Sequence, residues 1–323
     1  SLGLSGEGWF DGYSLLQAFR AQARVQGARY VVAEAVSFDI EKGHQRTSIQ
    51  RIQLSSGEQI EADVVVNAAG PWARHVAAWA GIELPVVAKR RTVFHVTCPQ
   101  PLPDCPLLID PSGIWLRREG TGFITGFCPP EADDGDDLPL DEPDHQAFED
   151  FVWPTLAERI PAFEALRLQR TWAGYYEMNL FDHNAIVGPH PACDNLIFAN
   201  GFSGHGLQQS PAVGRGVAEW IAHGAYQTLD LSPLGWTRVL ADEPLLERCV
   251  TPVAILKIAA CACPSSAGGH FDGEMTSLRC NDEMTAGVGS WRVAPSSTAH
   301  GRGHAPQARH QNAQLLALAQ QAL

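Results

Sequence analysis

The sequence has no long apolar run. Its best candidate, Val253 to Ala262, is shorter than a bilayer-spanning helix and carries Lys257, so no transmembrane segment is expected there. The opening residues show no signal-peptide pattern, and Ser1 stands where an initiator methionine would, so the numbering is expected to begin inside a longer protein. Positive charge is scarce. With 23 Lys and Arg against 36 Asp and Glu, the formal net charge is −13, which argues against a nucleic-acid footprint and an anionic membrane surface. The 8 cysteines form neither a disulfide framework nor paired metal-ligand spacings. Cys261-Ala262-Cys263 has no second pair, and His300, His304 and His310 lie in a low-complexity stretch, so no metal site is expected. Reduced thiols in a bacterial cytoplasm or a mitochondrial matrix are the expected state. Also missing, anywhere before Val36, is a strand–helix unit with a G-x-G-x-x-G turn and a ribose-binding acid.

What is present fits a globular protein with a sizeable core. At 323 residues, 45% hydrophobic and 18% charged, the chain has room for more than one domain, and its partner is expected to be a small molecule. The most informative stretch is Asn200-Gly201-Phe202-Ser203-Gly204-His205-Gly206-Leu207-Gln208-Gln209-Ser210-Pro211. Leu196 to Ala199 before it read as a buried strand. A helix is expected after it, capped by Ser210, with Pro211 in its first turn, an apolar face of Val213, Val217, Trp220 and Ile221, and Gly224 at its end. Glycines at 201, 204 and 206 let the backbone approach a ligand closely, and the helix N-terminus offers unpaired N–H groups to an anion.

A second turn repeats this design. Asp63 to Asn67 read as a parallel-type strand entering Ala68-Ala69-Gly70-Pro71-Trp72, then a helix whose apolar face holds Trp72, Val76 and Trp79. Upstream, Leu15, Leu16, Phe19, Ala23 and Val25 form a helical stripe ended by Gly27, and Tyr30 to Val36 continue as a strand. Ile49–Leu54 and Gln59–Ala62 flank a hairpin turn. From Val86 the pattern changes to alternating strands at Val87–Thr97, Leu107–Ile109, Gly113–Arg117 and Phe123–Phe127, as in an antiparallel sheet. An acidic loop, Asp133 to Asp144, reads as a solvated linker, followed by a helix over about 145–159. Ala165–Thr171, Gly174–Met178 and Asn184–Gly188 read as returning strands.

G-F-S-G-H-G before a proline-bearing helix, with A-A-G-x-W after a buried strand, resembles the FAD-dependent superfamily of D-amino-acid oxidase, glycine oxidase and sarcosine oxidase. Asp182 to Gly188 resembles that family's D-G-x-P-x-I-G turn, with Ala185 in place of the proline. The resemblance covers residues 1 to about 248, the C-terminal part of the family pattern, and implies an α+β fold. A partial, Rossmann-like FAD-binding layer (1–85 and 186–248) would be interrupted by an antiparallel-sheet substrate domain (86–185). Residues 249–323, whose charges nearly cancel, are expected to be a disordered or unrelated tail.

By the same resemblance the function is hydride transfer from an amine or amino acid, such as an N-methyl or D-amino acid, to FAD. Val36 would take the place of the valine that pairs with adenine. Ala68, Ala69, Gly70 and Trp72 would pass beside the dinucleotide, and Gly201, Phe202, Ser203, Gly204, His205, Gly206, Leu207 and Gln208 would hold the flavin. His205 either adds a donor or only holds the loop. Gln208 stands where sarcosine oxidases have a lysine, so either the substrate differs or Arg90 or Arg91 meets its carboxylate; each arginine is otherwise a solvated strand charge. Tyr176 either lines the substrate cavity or packs. Gly174 occupies the position of a flavin-linking cysteine in some relatives, so attachment there is non-covalent. With the first glycine turn lacking, FAD binding by this chain alone is doubtful. One mitochondrial family member is associated with respiratory complex I assembly, which gives the alternative: a non-catalytic assembly or binding protein that keeps the fold, with a respiratory-chain partner.

Overall fold

The computed structural model describes residues 11–246 apart from 101 and 103, so the expected tail lies outside the described residues. The first element is α1 (Gly12–Val25), started by Asp11, whose carboxylate accepts from the amides of Tyr13 and Ser14. Of its apolar stripe only Ala23 is buried, and Val25 is 81% exposed. The strand expected at Tyr30–Val36 forms no ladder before Ala35. Val32 is 88% exposed, and no strand among the described residues lies beside it. β-propensity without a neighbour gives only extended chain.

β1 (Ala35–Lys42), β2 (Thr47–Leu54) and β3 (Gln59–Glu61) form an antiparallel meander, with the expected hairpin joining the last two. β4 (Val65–Asn67) is fully buried and pairs in parallel with β11 (Leu196–Asn200), which pairs antiparallel with β10 (Ile186–Pro189). The parallel pairing follows from the all-apolar runs, which need cover on both faces. One face receives α4 (Gly206–His223) through Val213 and Val217. The other packs Leu196 and Phe198 against α2 (Ala73–Trp79), the meander and Trp236 of α5 (Trp236–Leu240). On α2 the buried face is Ala73 and Ala77, and Trp72 is 59% exposed, contrary to expectation. Only small residues fit where α2 lies close to the sheet.

Between β4 and β10 the chain builds a second body. β5 (Val86–Thr97), β6 (Leu108–Ile109), β7 (Ile114–Glu119), β8 (Gly122–Phe127) and β9 (Arg167–Asn179) form an antiparallel sheet in the order β6-β7-β8-β5-β9. The two strands expected at 165–171 and 174–178 are one, because β9 pairs with β5 along its whole length from Val86–Asn179 to Thr97–Arg167. One face of the sheet, with Phe94, Val96, Leu116 and Phe123, is closed by α3 (Trp153–Arg159) and a π-turn at Phe148–Val152. The opposite face carries Lys89, Arg91, Gly174 and Tyr176 by strand alternation.

Candidate active site

The loop leaving β11 runs along the free edge of β9. Ser203 N–H donates to the Glu177 carbonyl at 3.0 Å, and Asn179 N–H donates to Ser203 Oγ at 3.1 Å. Ser203 itself sits at φ 51°, a left-handed conformation that its hydroxyl supports by donating to Gly201 O at 3.2 Å. Gly204 is required twice over: its φ is 95°, and a Cβ there would lie 2.7 Å from Tyr176 Cε2. Phe202 N–H turns inward to Glu177 Oε1 at 3.4 Å, and His205 N–H closes on Phe202 O at 2.9 Å. These bonds engage the amides of Phe202, Ser203 and His205.

What remains is the first turn of α4. The helix begins at Gly206 with His205 as its cap residue and no side-chain capping bond, so the N–H groups of Gly206, Leu207 and Gln208 stand at its positive end. Ser210 and Pro211 therefore do not start the helix; they lie inside it. Pro211 lacks the N–H that would reach Leu207 O, and Ser210 Oγ donates to that oxygen instead at 2.9 Å, which lets the helix start a turn early. The exposed residues at this end, Gly204, Leu207 and Gln208, are glycine or point away from the core.

The second turn converges on the same region. Asn67, fully enclosed, ties it by donating to Ala73 O at 2.9 Å and accepting from Ala69 N–H at 3.2 Å. Ala68 is buried, Gly70 has φ 54°, and Trp72 meets Tyr175 edge-on at 6.2 Å between ring centres. Trp72 thus reaches β9 through Tyr175, whose side chain lies on the sheet face opposite Tyr176. Val36 lies apart in the meander, at the register shift between the Ala35–Leu54 and Ser37–Gln53 pairs, and is 43% exposed.

On the open sheet face Arg91 stands directly across from Gly174, its Cζ 5.5 Å from the Tyr176 ring centre. A Cβ on Gly174 would meet nothing within 4 Å, so the sheet face is open over Gly174. Arg91 is not a solvated charge. It is buried and forks onto Asp134 with Nη1–Oδ1 at 2.7 Å and Nη2–Oδ2 at 2.8 Å. Burial disfavours its charge, and the paired Asp134 more than restores it. The acidic loop is accordingly no solvated linker. Lys89 binds Asp136 at 2.6 Å, Arg74 binds Asp137, Arg90 donates to the carbonyls of Pro139 and Glu142, and Tyr175 Oη donates to Leu138 O at 2.8 Å. Its carboxylates match the basic row on β5, so it lies down as a strap beside that strand. Arg90 points to the other face, where a cavity of about 390 Å³ lies between it, Phe127, Phe151 and the strap, away from Tyr176 and the glycine loop.

Two enclosed groups at the root of the loop have unspent capacity. Burial pushes the Glu177 carboxyl up to about 7, against the pull of the Gly201 and Phe202 amides, and its Oε2 has no partner. The Asn200 side-chain amide, fully buried at the carboxyl end of β11, also has none. Behind the loop, Asp182 and Arg238 form a buried pair at 2.6 Å, and Asn179 Nδ2 joins it by donating to Asp182 Oδ1 at 2.9 Å. His183 takes φ 60° in this turn, at the place of the family's glycine. Asp134, Glu177, Asn67 and Asn200 were not singled out by sequence. Asp134 had a legible signal, an acidic run facing a basic run; the others had none.

The comparisons with known proteins give the class, a family of FAD-dependent oxidoreductases. Residues 1–220 match the family described as FAD dependent oxidoreductase (DAO), and the chain belongs to it. It is 44% identical over 276 residues to FAD-dependent oxidoreductase domain-containing protein 1 of Xenopus laevis, covering 77% of this chain and 55% of that protein. With mitochondrial dimethylglycine dehydrogenase of Mus musculus it shares 28% identity over 250 residues, 71% of this chain and 28% of the other. Among solved structures, L-proline dehydrogenase from P. horikoshii aligns with a TM-score of 0.63 at 28% identity, over 72% of this chain and 60% of that one. The chain spans about half the length of these curated relatives from Xenopus laevis and Bos taurus. The family's cofactor is FAD, and no helix among the described residues is long and apolar enough to cross a membrane.

Proposed function

We propose that this protein oxidises the CH–NH bond of an amine or amino acid, with an N-methyl or D-amino acid as the substrate class, in a bacterial cytoplasm or mitochondrial matrix. Residues 11–85 and 186–246 serve as the FAD-binding part, and 86–185 as the substrate part laid over it. The observation that carries this reading is the juxtaposition of the uncapped amides at Gly206 to Gln208 with Tyr176, Gly174 and Arg91. These residues fit the flavin: the first turn of α4 has no side-chain cap, and a Cβ on Gly70 or Gly174 would stand in open space.

Bound there, FAD would supply the hydride acceptor. The amides of Gly206, Leu207 and Gln208, with the α4 dipole behind them, stabilise negative charge at the ring edge they face. His205 adds a polar side chain beside them. Ala68, Ala69 and Gly70 leave room for the dinucleotide, Trp72 walls it, and Val36 offers backbone groups at the β1 register shift. Tyr176 and the space over Gly174 receive the substrate, and Arg91 supplies the cation for its carboxylate. With glycine at 174 there is no nucleophile for covalent attachment at that point, so the flavin is held non-covalently. Anaerobic addition of N-methyl and D-amino acids to the FAD-supplied protein tests this: bleaching of the flavin absorbance by one of them is expected, and no bleaching by any would overturn it.

A further inference from the structure

We propose that the open face of the antiparallel sheet carries a binding site for a small planar aromatic anion, with Trp115 and Trp172 holding its ring and Arg170 and His95 its charge. The site lies beyond the substrate space of the proposed oxidation and does not depend on it. Strand register fixes its layout. Trp115 pairs with Gly126, Gly126 with Val93 and Val93 with Trp172, which sets these four residues in one row across β7, β8, β5 and β9. Arg117, Ile124, His95 and Arg170 pair in the same way and form the next row, two residues along each strand. By alternation both rows share the face of Arg91, Gly174 and Tyr176, and α3 and the π-turn close the opposite face. Along β9, Trp172 is two residues, roughly 7 Å, from the open space over Gly174.

The two indoles bound a flat floor. A Cβ on Gly126 would come within 2.9 Å of Trp115 Cζ2, so Trp115 lays its ring on a strand that only glycine leaves bare. Trp172 is 37% exposed and Val93, between the two, is half-buried, so water reaches the floor. An aromatic ring laid there removes apolar surface of both indoles from water and meets them in stacked or edge-on geometry. The free charge beside the floor has one sign. Arg170 is exposed, with its Cζ 5.7 Å from the Trp172 ring centre, and it takes part in no ion pair among the described residues. His95, directly across from it, adds a ring N–H donor. Arg117 is met by Glu119 of its own strand, and neither row contains a carboxylate. On a chain of net charge −13, a cation left unmatched next to two half-exposed aromatic rings selects an anion with an aromatic body.

The test needs neither flavin nor turnover, so it fails or succeeds separately from the oxidation reading. The indole Nε1–H resonances of Trp115 and Trp172 in the ¹⁵N-labelled full chain are identified by their loss in Trp115→Phe and Trp172→Phe. They are then followed on titration with phenylacetate, with its neutral isostere phenylacetamide, and with acetate, which lacks the ring. Phenylacetate is expected to move both resonances together and to saturate at concentrations about tenfold below either of the others. Arg170→Gln should weaken phenylacetate about tenfold and leave phenylacetamide unchanged. Arg46→Gln, which removes a cation from the meander instead, should keep the wild-type order. If Arg170→Gln does not fold, the wild-type order of the three probes decides alone. Equal affinities for phenylacetate and phenylacetamide, movement of only one of the two resonances or of neither, or a phenylacetate affinity that Arg170→Gln leaves unchanged would each overturn the proposal.

Discussion

Replacing Glu177 with glutamine isolates the cost of keeping a carboxyl at the root of the glycine loop. In the folded chain burial pushes this group from 4.5 to about 7, so the fold favours its neutral form. The contribution is fully present below pH 4.5, where the unfolded chain is also protonated. It falls away as the unfolded carboxyl ionises, and is gone once pH passes about 7 and the folded one ionises too. At about 1.4 kcal/mol for each tenfold change in proton affinity, the loss across that window is about 3 kcal/mol. Glu177→Gln cannot ionise and still offers one oxygen to the Phe202 amide. Its stability relative to wild type should therefore rise by about 3 kcal/mol between pH 4.5 and pH 8. Urea denaturation of both proteins at the two ends of the range measures this. A difference that does not change with pH would refute the reasoning and place Glu177 in water.

Two further substitutions probe the site's framework. Gly204→Val should cost about 1–2 kcal/mol for a non-glycine residue at φ 95° and about 1–3 kcal/mol for overlap with the Tyr176 ring. The overlap part alone should vanish in a Tyr176→Ala background, and a double-mutant cycle with no coupling would show that the ring is not the obstacle. Arg238→Ala leaves Asp182 enclosed without its partner and should destabilise by about 3–5 kcal/mol. An unchanged denaturation midpoint would mean that the pair contributes nothing.

Much of the fold was legible because each strand announces its surroundings. The unbroken apolar runs at Val64–Val66 and Leu196–Ala199 mark strands covered on both faces, and the structure pairs them in parallel as β11 and the edge strand β4 of a three-stranded sheet. The alternation after Val86 pointed to the antiparallel sheet; the glycine loop pointed to close approach by a ligand, and the structure sets the Tyr176 ring against Gly204 instead. What local pattern could not give was anything decided by distant partners. Tyr30–Val32 has strand composition but no neighbouring strand among the described residues, and the start of α4 turns on whether Ser210 can replace the Pro211 N–H. Asp134 meets Arg91 across 43 positions, so their charges looked solvated in a linear reading, and Asp182 meets Arg238 across 56. Glu177 looked like an ordinary strand residue, and only the loop folding over the β9 edge encloses it.

The account's central claim is that the first turn of α4 holds the flavin. Titrating FAD into the ¹⁵N-labelled chain completed with an N-terminal unit that carries the missing G-x-G-x-x-G turn, and following the backbone amides, tests it most directly. The account predicts that the Gly206, Leu207 and Gln208 resonances move together with saturable binding, and that Gly204→Val abolishes the shifts. If these three amides stay unmoved while FAD saturates the protein, or if Gly204→Val binds FAD as the wild type does, the cofactor site lies elsewhere.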